Sequence, residues 1–212
     1  VRLDSDTLQL ACRELAARDV ALEALARRNG VPPLWRRDPG FPTMVKLILE
    51  QQVSLASGAA AYRRLEERIG AVTPARFLTL DDDELRSVGF SRQKTRYVRL
   101  LAAALADGTL DLDGVAAMDD DSAAATLTSM TGIGPWTAAN YLLFGLGRPD
   151  VWPSGDRALV VSMQRAFDLT DVPSYDAADE MAATWRPWRS VAARLLWHDY
   201  LGGRAYDGSS FS

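Results

Sequence analysis

Apolar residues recur three and four apart along almost the whole chain, and they are mainly Ala and Leu with few β-branched runs. That period lines one face of a helix, whereas a strand needs strict alternation. With 48% hydrophobic residues in 212 positions, there is enough apolar volume for a sizeable core. The fold class expected is therefore all-α. Residues 8–26 read as one amphipathic helix, stopped by Asn29-Gly30 and the prolines that follow. Thr43 is placed to cap the next helix, residues 44–57, and after Ser57-Gly58 another runs over residues 59–69. Pro74 opens a short helix. Asp81 with Glu84 three residues later forms a capping pair, followed by a short helix, a break at Gly89 and a longer helix. The order helix, glycine turn, helix recurs over residues 124–146. Gly145 to Pro149 marks a lobe boundary, and the next helix begins at Asp156.

Composition excludes several chemistries. One cysteine, Cys12, forms no intramolecular disulfide and cannot ligate an iron–sulfur cluster, so it reads as a buried small hydrophobe. A single histidine, His198, rules out zinc sites built on paired His, and it reads as a structural or surface residue. The charged N-terminal helix is no signal peptide, and no apolar run is long enough to span a bilayer. A cytoplasmic protein, nucleoid-associated in a bacterium, with no membrane partner is expected. Net charge is −4 and the pI near 5.1, which weighs against nucleic acid. The acids are clustered, however, and arginines dominate residues 86–99 and 186–204, so a local binding face can survive a negative total.

The segment Thr131-Gly132-Ile133-Gly134-Pro135-Trp136-Thr137-Ala138 carries the most information. Two glycines around one apolar residue sit between helices, and Pro135 suits the first turn of the second. Bare backbone N–H groups at such a helix start form an anion site that needs no lysine or arginine. The same residues also suit a plain tight turn between packed helices. Downstream, Asp156 lies twenty residues after Trp136 and follows Ser154-Gly155, a position typical of a helix cap.

The stretch from Thr131 to Ala138 resembles the helix-hairpin-helix of the DNA glycosylase superfamily, whose pattern is roughly L-P-G-φ-G-x-x-T-A with an aspartate about twenty residues on. The likeness extends upstream to residues 48–54 and downstream to residues 185–197, with Thr131 in place of the usual proline. It implies two helical lobes with an active cleft between them: residues 43–146 with the hairpin, and residues 1–42 plus 147–212 with the catalytic aspartate. Only about forty residues precede the core, so the large N-terminal domain of some bacterial alkylbase glycosylases is not expected.

The resemblance is nearest to the 3-methyladenine type. It implies Asp156 as the catalytic carboxylate and a base pocket of Trp136, Trp197, Asn140, Tyr141 and Gln51. Asn140 falls where the type often has tyrosine, with Tyr141 beside it. Gln51 and Gln52 are expected on a helix. DNA contacts are implied at Gly132, Ile133, Gly134, Pro135 and Thr137, with Phe90 or Arg92 as the side chain that fills the gap of an extruded base. Arg92, Arg96 and Arg99 are placed to track phosphates. Backbone carbonyls of Thr128, Met130 and Ile133 are implied to hold Na+ or K+, and no other cofactor is expected. Bifunctional members carry a lysine just after the hairpin, whereas Trp136 stands here and the chain's two lysines, Lys46 and Lys94, lie elsewhere. The expected function is monofunctional release of alkylated bases from double-stranded DNA by a monomer. Removal of deaminated or other damaged bases, or binding of DNA structure without catalysis, are the alternatives.

Overall fold

The computed structural model describes residues 2–203; residue 1 and residues 204–212, which the sequence assigns to the second lobe, lie outside that range. Every regular element among the described residues is helical. The chain divides into two compact units, residues 37–146 and residues 2–36 with 147–203.

The second of these contains α1 (Ser5–Arg18), α2 (Val20–Asn29) and three later helices. Leu8, Ala11, Cys12 and Leu15 are the buried stripe of α1, as the spacing predicts, and burial pushes the Cys12 thiol up to about 11. The single helix expected over residues 8–26 is instead two. Asp19 adopts extended backbone; its N–H closes α1 on the Leu15 carbonyl, while its carboxylate accepts the Ala21 and Leu22 N–H groups and starts α2. The side chain outcompetes helix continuation because it satisfies donors that would otherwise be orphaned. Its other oxygen accepts the Trp185 indole N–H at 2.8 Å.

Numbering in chain order, the later helices of this unit are α11 (Arg157–Ala166), α12 (Tyr175–Ala183) and α13 (Arg189–Tyr200). Small residues let α13 bury nearly all of its length: Ser190, Val191, Ala192, Ala193, Leu195 and Leu196 are inside, packed towards α1, α2 and α11. Arg194 is buried among them, and its guanidinium donates to the carbonyls of Leu34 and Ser190. His198 is buried, its ring roughly perpendicular to that of Trp35, so of the two positions open to it the structural one holds.

The other unit contains α3 (Phe41–Glu50), α4 (Leu55–Ile69), α5 (Pro74–Leu78), α6 (Asp82–Ser87), α7 (Arg92–Ala106), α8 (Leu112–Ala117), α9 (Asp120–Thr128) and α10 (Pro135–Asn140), the last running into a π-helical turn at Tyr141–Gly145. Two boundaries differ from expectation. Helix α3 starts at Phe41 with Pro42 in its first turn, and Thr43 is buried within it, its hydroxyl donating to the Asp38 carbonyl rather than capping the helix. It ends at Glu50, not at Ser57; Ser54 caps α4 by accepting the Ser57 N–H. Val53, four residues after Leu49, and Leu55, seven after Ile48, continue the helical spacing and hid this turn. Gly58 marks the crossing of α3 and α4, where an added Cβ would lie 3.1 Å from Glu50 Cγ. The Asp81/Glu84 capping box, the break at Gly89 and the short helix at Pro74 are present as read. Phe77 packs against Phe41 and Phe90, with ring centroids 6.0 and 5.6 Å away, in a core shared with Ile48, Leu65, Leu85, Val98 and Leu101.

Candidate active site and nucleic-acid interface

Asp156 stands at the N-terminus of α11 after a sharp turn. Gly155 has φ +83°, a left-handed conformation that glycine adopts without steric cost. One Asp156 oxygen, Oδ1, accepts the Leu159 N–H at 3.0 Å and the Trp197 indole N–H at 3.2 Å. The carboxylate thus caps a helix and meets an aromatic ring from α13. Bonds to an ionised acceptor are the stronger kind, so they fix this oxygen in place. The segment leading to Asp156 is itself clamped. The Arg189 guanidinium donates to the Asp150 carboxylate and carbonyl, and the Ser190 hydroxyl exchanges hydrogen bonds with both the N–H and carbonyl of Val151.

In the other unit, α9 and α10 are joined by a turn built on glycine. Gly132 has φ +94°, and a Cβ there would lie 2.2 Å from Cγ of Tyr97 on α7. The Ile133 N–H donates to the Met130 carbonyl at 3.0 Å, and the Ile133 side chain is buried. Gly134 and Pro135 are exposed at the start of α10, which no side chain caps. Gln51 braces this turn: its amide nitrogen donates to the Gly132 carbonyl at 3.0 Å and to the Thr137 hydroxyl at 2.9 Å.

The sequence-predicted residues therefore divide. Asp156 and Trp197 meet directly, and Gln51, Gly132 and Thr137 meet directly. Trp136 is half-buried on the first turn of α10. Several expectations need correction. Tyr141 is fully buried, its hydroxyl accepting the Gly40 N–H at 3.0 Å, so it belongs to the core rather than to an open base pocket. Asn140 is 1% exposed, and its amide nitrogen donates to the Trp136 carbonyl one turn back. Phe90, 3% exposed against Phe77, is no inserted wedge. Thr137 is buried and its hydroxyl accepts from Gln51, so only its backbone is left for the DNA contact that the resemblance implies.

Gln51 and Gln52 lie beyond the end of α3 rather than on a helix, and Gln51 is committed to the hairpin. Of the three arginines on α7, Arg92 and Arg96 are exposed, whereas Arg99 donates to the Leu80 carbonyl and Asp82 carboxylate. Two features escaped the sequence reading. Tyr97 sets the turn's clearance, but its pattern is only that of an apolar helix position. Gln52 is exposed at φ +56°, one of three non-glycine residues with positive φ among those described, and it is followed by half-exposed Val53. That left-handed conformation is uncommon for a residue with a side chain.

A glycine-turned helical hairpin is thus followed along the chain by an aspartate-capped helix. The sequence pattern of the HhH-GPD superfamily of base excision DNA repair proteins matches residues 45–189, and the chain belongs to that superfamily. It is 32% identical over 185 residues to YfjP of Bacillus subtilis (strain 168), named as a candidate DNA-3-methyladenine glycosylase; the match covers 84% of this chain and 64% of that relative's length. The chain is similar to the crystal structure of a DNA-3-methyladenine glycosidase from Bacillus halodurans, with a TM-score of 0.77 and 27% identity over 90% of this chain and 88% of the other. It is also similar to the Schizosaccharomyces pombe 3-methyladenine DNA glycosylase Mag1 in complex with abasic DNA, with a TM-score of 0.80 over 89% of this chain and 95% of that one. At 22% identity this last likeness concerns the fold alone.

Proposed function

We propose that this protein is a monofunctional DNA glycosylase that hydrolyses the N-glycosidic bond of alkylated bases in double-stranded DNA, acting as a monomer. The observation that carries the reading is Asp156: in register after the hairpin, at a helix start, with one oxygen fixed by a backbone N–H and an indole. As the base departs, positive charge builds on the sugar, and a fixed carboxylate stabilises that charge and orients or deprotonates the attacking water. The indole of Trp197, hydrogen-bonded to Asp156, supplies a face for a base made cationic by alkylation, a preference of roughly 0.5–2 kcal/mol. The exposed start of α10 holds a phosphate through backbone N–H groups.

Extruding the nucleotide costs a few kcal/mol, least for a damaged pair, and the gap it leaves must be filled. With Phe90 in the core, the exposed tip at Gln52 is the better placed wedge, and Arg92 remains a backbone contact. Thr128 ends α9, where carbonyls lose their helical partners, and the Met130 carbonyl keeps a second lone pair beside the Ile133 N–H. With the Ile133 carbonyl these groups would hold a Na+ or K+ ion, whose charge would attract a phosphate. Trp136 occupies the position where a lysine nucleophile would form a Schiff base, so the strand leaves uncut.

The test is base release from duplexes carrying 3-methyladenine, 7-methylguanine, 1,N6-ethenoadenine or hypoxanthine. Release of the methylated bases, with strand breaks only after alkali, is expected. Strand cleavage without alkali, or covalent trapping by borohydride, would contradict the monofunctional assignment; salt-dependent binding without release of any base would make the protein a silent DNA binder.

A further inference from the structure

We infer that Asp179 is a positioning residue for Asp156, an inference that rests on the reading of Asp156 as the catalytic carboxylate. Asp179 lies on α12, one turn after the Ser174 cap, and its two oxygens are divided between two residues of the segment that ends in Asp156. Oδ1 accepts the Trp152 indole N–H at 2.9 Å, and Oδ2 accepts the Ser154 hydroxyl at 2.7 Å. A single carboxylate therefore grips both sides of Pro153.

The neighbouring contacts make this grip a lever on Asp156. Within the segment, the Ser154 N–H donates to the Trp152 carbonyl and the Asp156 N–H to the Pro153 carbonyl, so the chain turns tightly just before the carboxylate. Between Ser154 and Asp156 stands Gly155 alone, at φ +83°, with nothing within 4 Å of where its Cβ would be. A glycine in open space has the widest backbone freedom of any residue. That freedom is bracketed on one side by Ser154 on Asp179, and on the other by Asp156 on Leu159 and Trp197.

Asp179 is itself braced. Trp152 meets Trp185 edge to face at 5.5 Å, Trp185 stacks on Phe167 at 6.0 Å, and Ala178 and Ala182 anchor α12 in the core. Removing the Asp179 carboxylate leaves an indole N–H and a hydroxyl without their acceptor and releases the Gly155 turn. Chemistry that depends on sub-ångström placement of a carboxylate loses rate under such release, while ground-state DNA binding is spared.

The experiment measures single-turnover release of 7-methylguanine from methylated duplex DNA, together with the Kd for an abasic-site duplex. Active enzyme is titrated on that duplex, so that loss of folded protein is separated from loss of rate. Asp179→Ala is expected to slow release by about 10- to 100-fold, with Kd changed less than about threefold. Asp179→Asn restores the rate, because a carboxamide accepts from the indole and donates to the Ser154 oxygen without carrying charge. Ser154→Ala gives a smaller loss, and the double variant is no worse than Asp179→Ala alone, the non-additivity expected when one side chain acts through the other.

A wild-type rate per active site in Asp179→Ala, beside an inactive Asp156→Asn, would overturn the positioning role and leave the Asp156 reading intact. No base release by the wild type, or an active Asp156→Asn, would overturn both. Should Asp179→Ala fail to fold, an unchanged rate in Ser154→Ala overturns the inference, and a slowed rate at unchanged Kd supports it.

Discussion

Gly132 has no room for a side chain and no ordinary backbone conformation to offer one. The Tyr97 ring occupies the Cβ direction at 2.2 Å, and φ is +94°. Gly132→Ala is therefore expected to destabilise the protein by about 2–4 kcal/mol, from overlap and left-handed strain together, measured as the shift in a urea unfolding midpoint. Adding Tyr97→Ala should recover only part of the overlap, because the Tyr97 Cβ itself lies 2.6 Å from the added methyl position. At this scale the sequence was informative about Gly132, because two glycines around an apolar residue announce a turn. It could not show what the turn packs against, since Tyr97 reads like any other helix position. Asp179 was equally hidden: nothing local distinguishes it from the other acids of α12 until the fold brings Trp152 and Ser154 to it.

Helix boundaries follow the capping residues more closely than the hydrophobic period. Asp19 interrupts a stripe that would otherwise run from α1 into α2, since its carboxylate serves two backbone donors and the Trp185 indole at once. Asp19→Ala is expected to cost about 2–4 kcal/mol, combining the lost cap with an unsatisfied indole N–H, whereas Asp19→Asn should recover much of it. Thermal unfolding followed by circular dichroism checks both. The periodicity correctly gave an all-helical chain, but it ran straight through Asp19 and through Gln51 to Ser54, because in both places apolar spacing continues across a break made by polar side chains. Residues 130–135 and 155–156 were legible because glycine, proline and a cap fall together there. Tyr141 and Asn140 were misread as pocket residues because position on a helix does not reveal which face is buried.

For the molecule as a whole, the net charge of −4 has a structural origin. Six helices, α1, α2, α6, α8, α9 and α11, begin with an aspartate whose side chain accepts a backbone N–H. Six of the carboxylates behind that charge thus serve as helix caps. A protein that holds phosphate largely through the backbone of a hairpin and few arginines should show a shallow salt dependence. The slope of log K against log salt for a lesion-bearing duplex is expected at about −2 to −4, equivalent to few neutralised phosphates. A much steeper slope would mean an extensive cationic face.

Asp156 is the residue proposed to perform the chemistry, and single-turnover release of 7-methylguanine by Asp156→Asn is the decisive measurement. The amide keeps an acceptor for the Leu159 N–H and the Trp197 indole but removes the charge. Release is expected to fall by at least about 10²-fold, with binding to an abasic-site duplex and the unfolding midpoint little changed. Release at the wild-type rate by a folded Asp156→Asn protein would contradict the account and return Asp156 to the status of a helix cap.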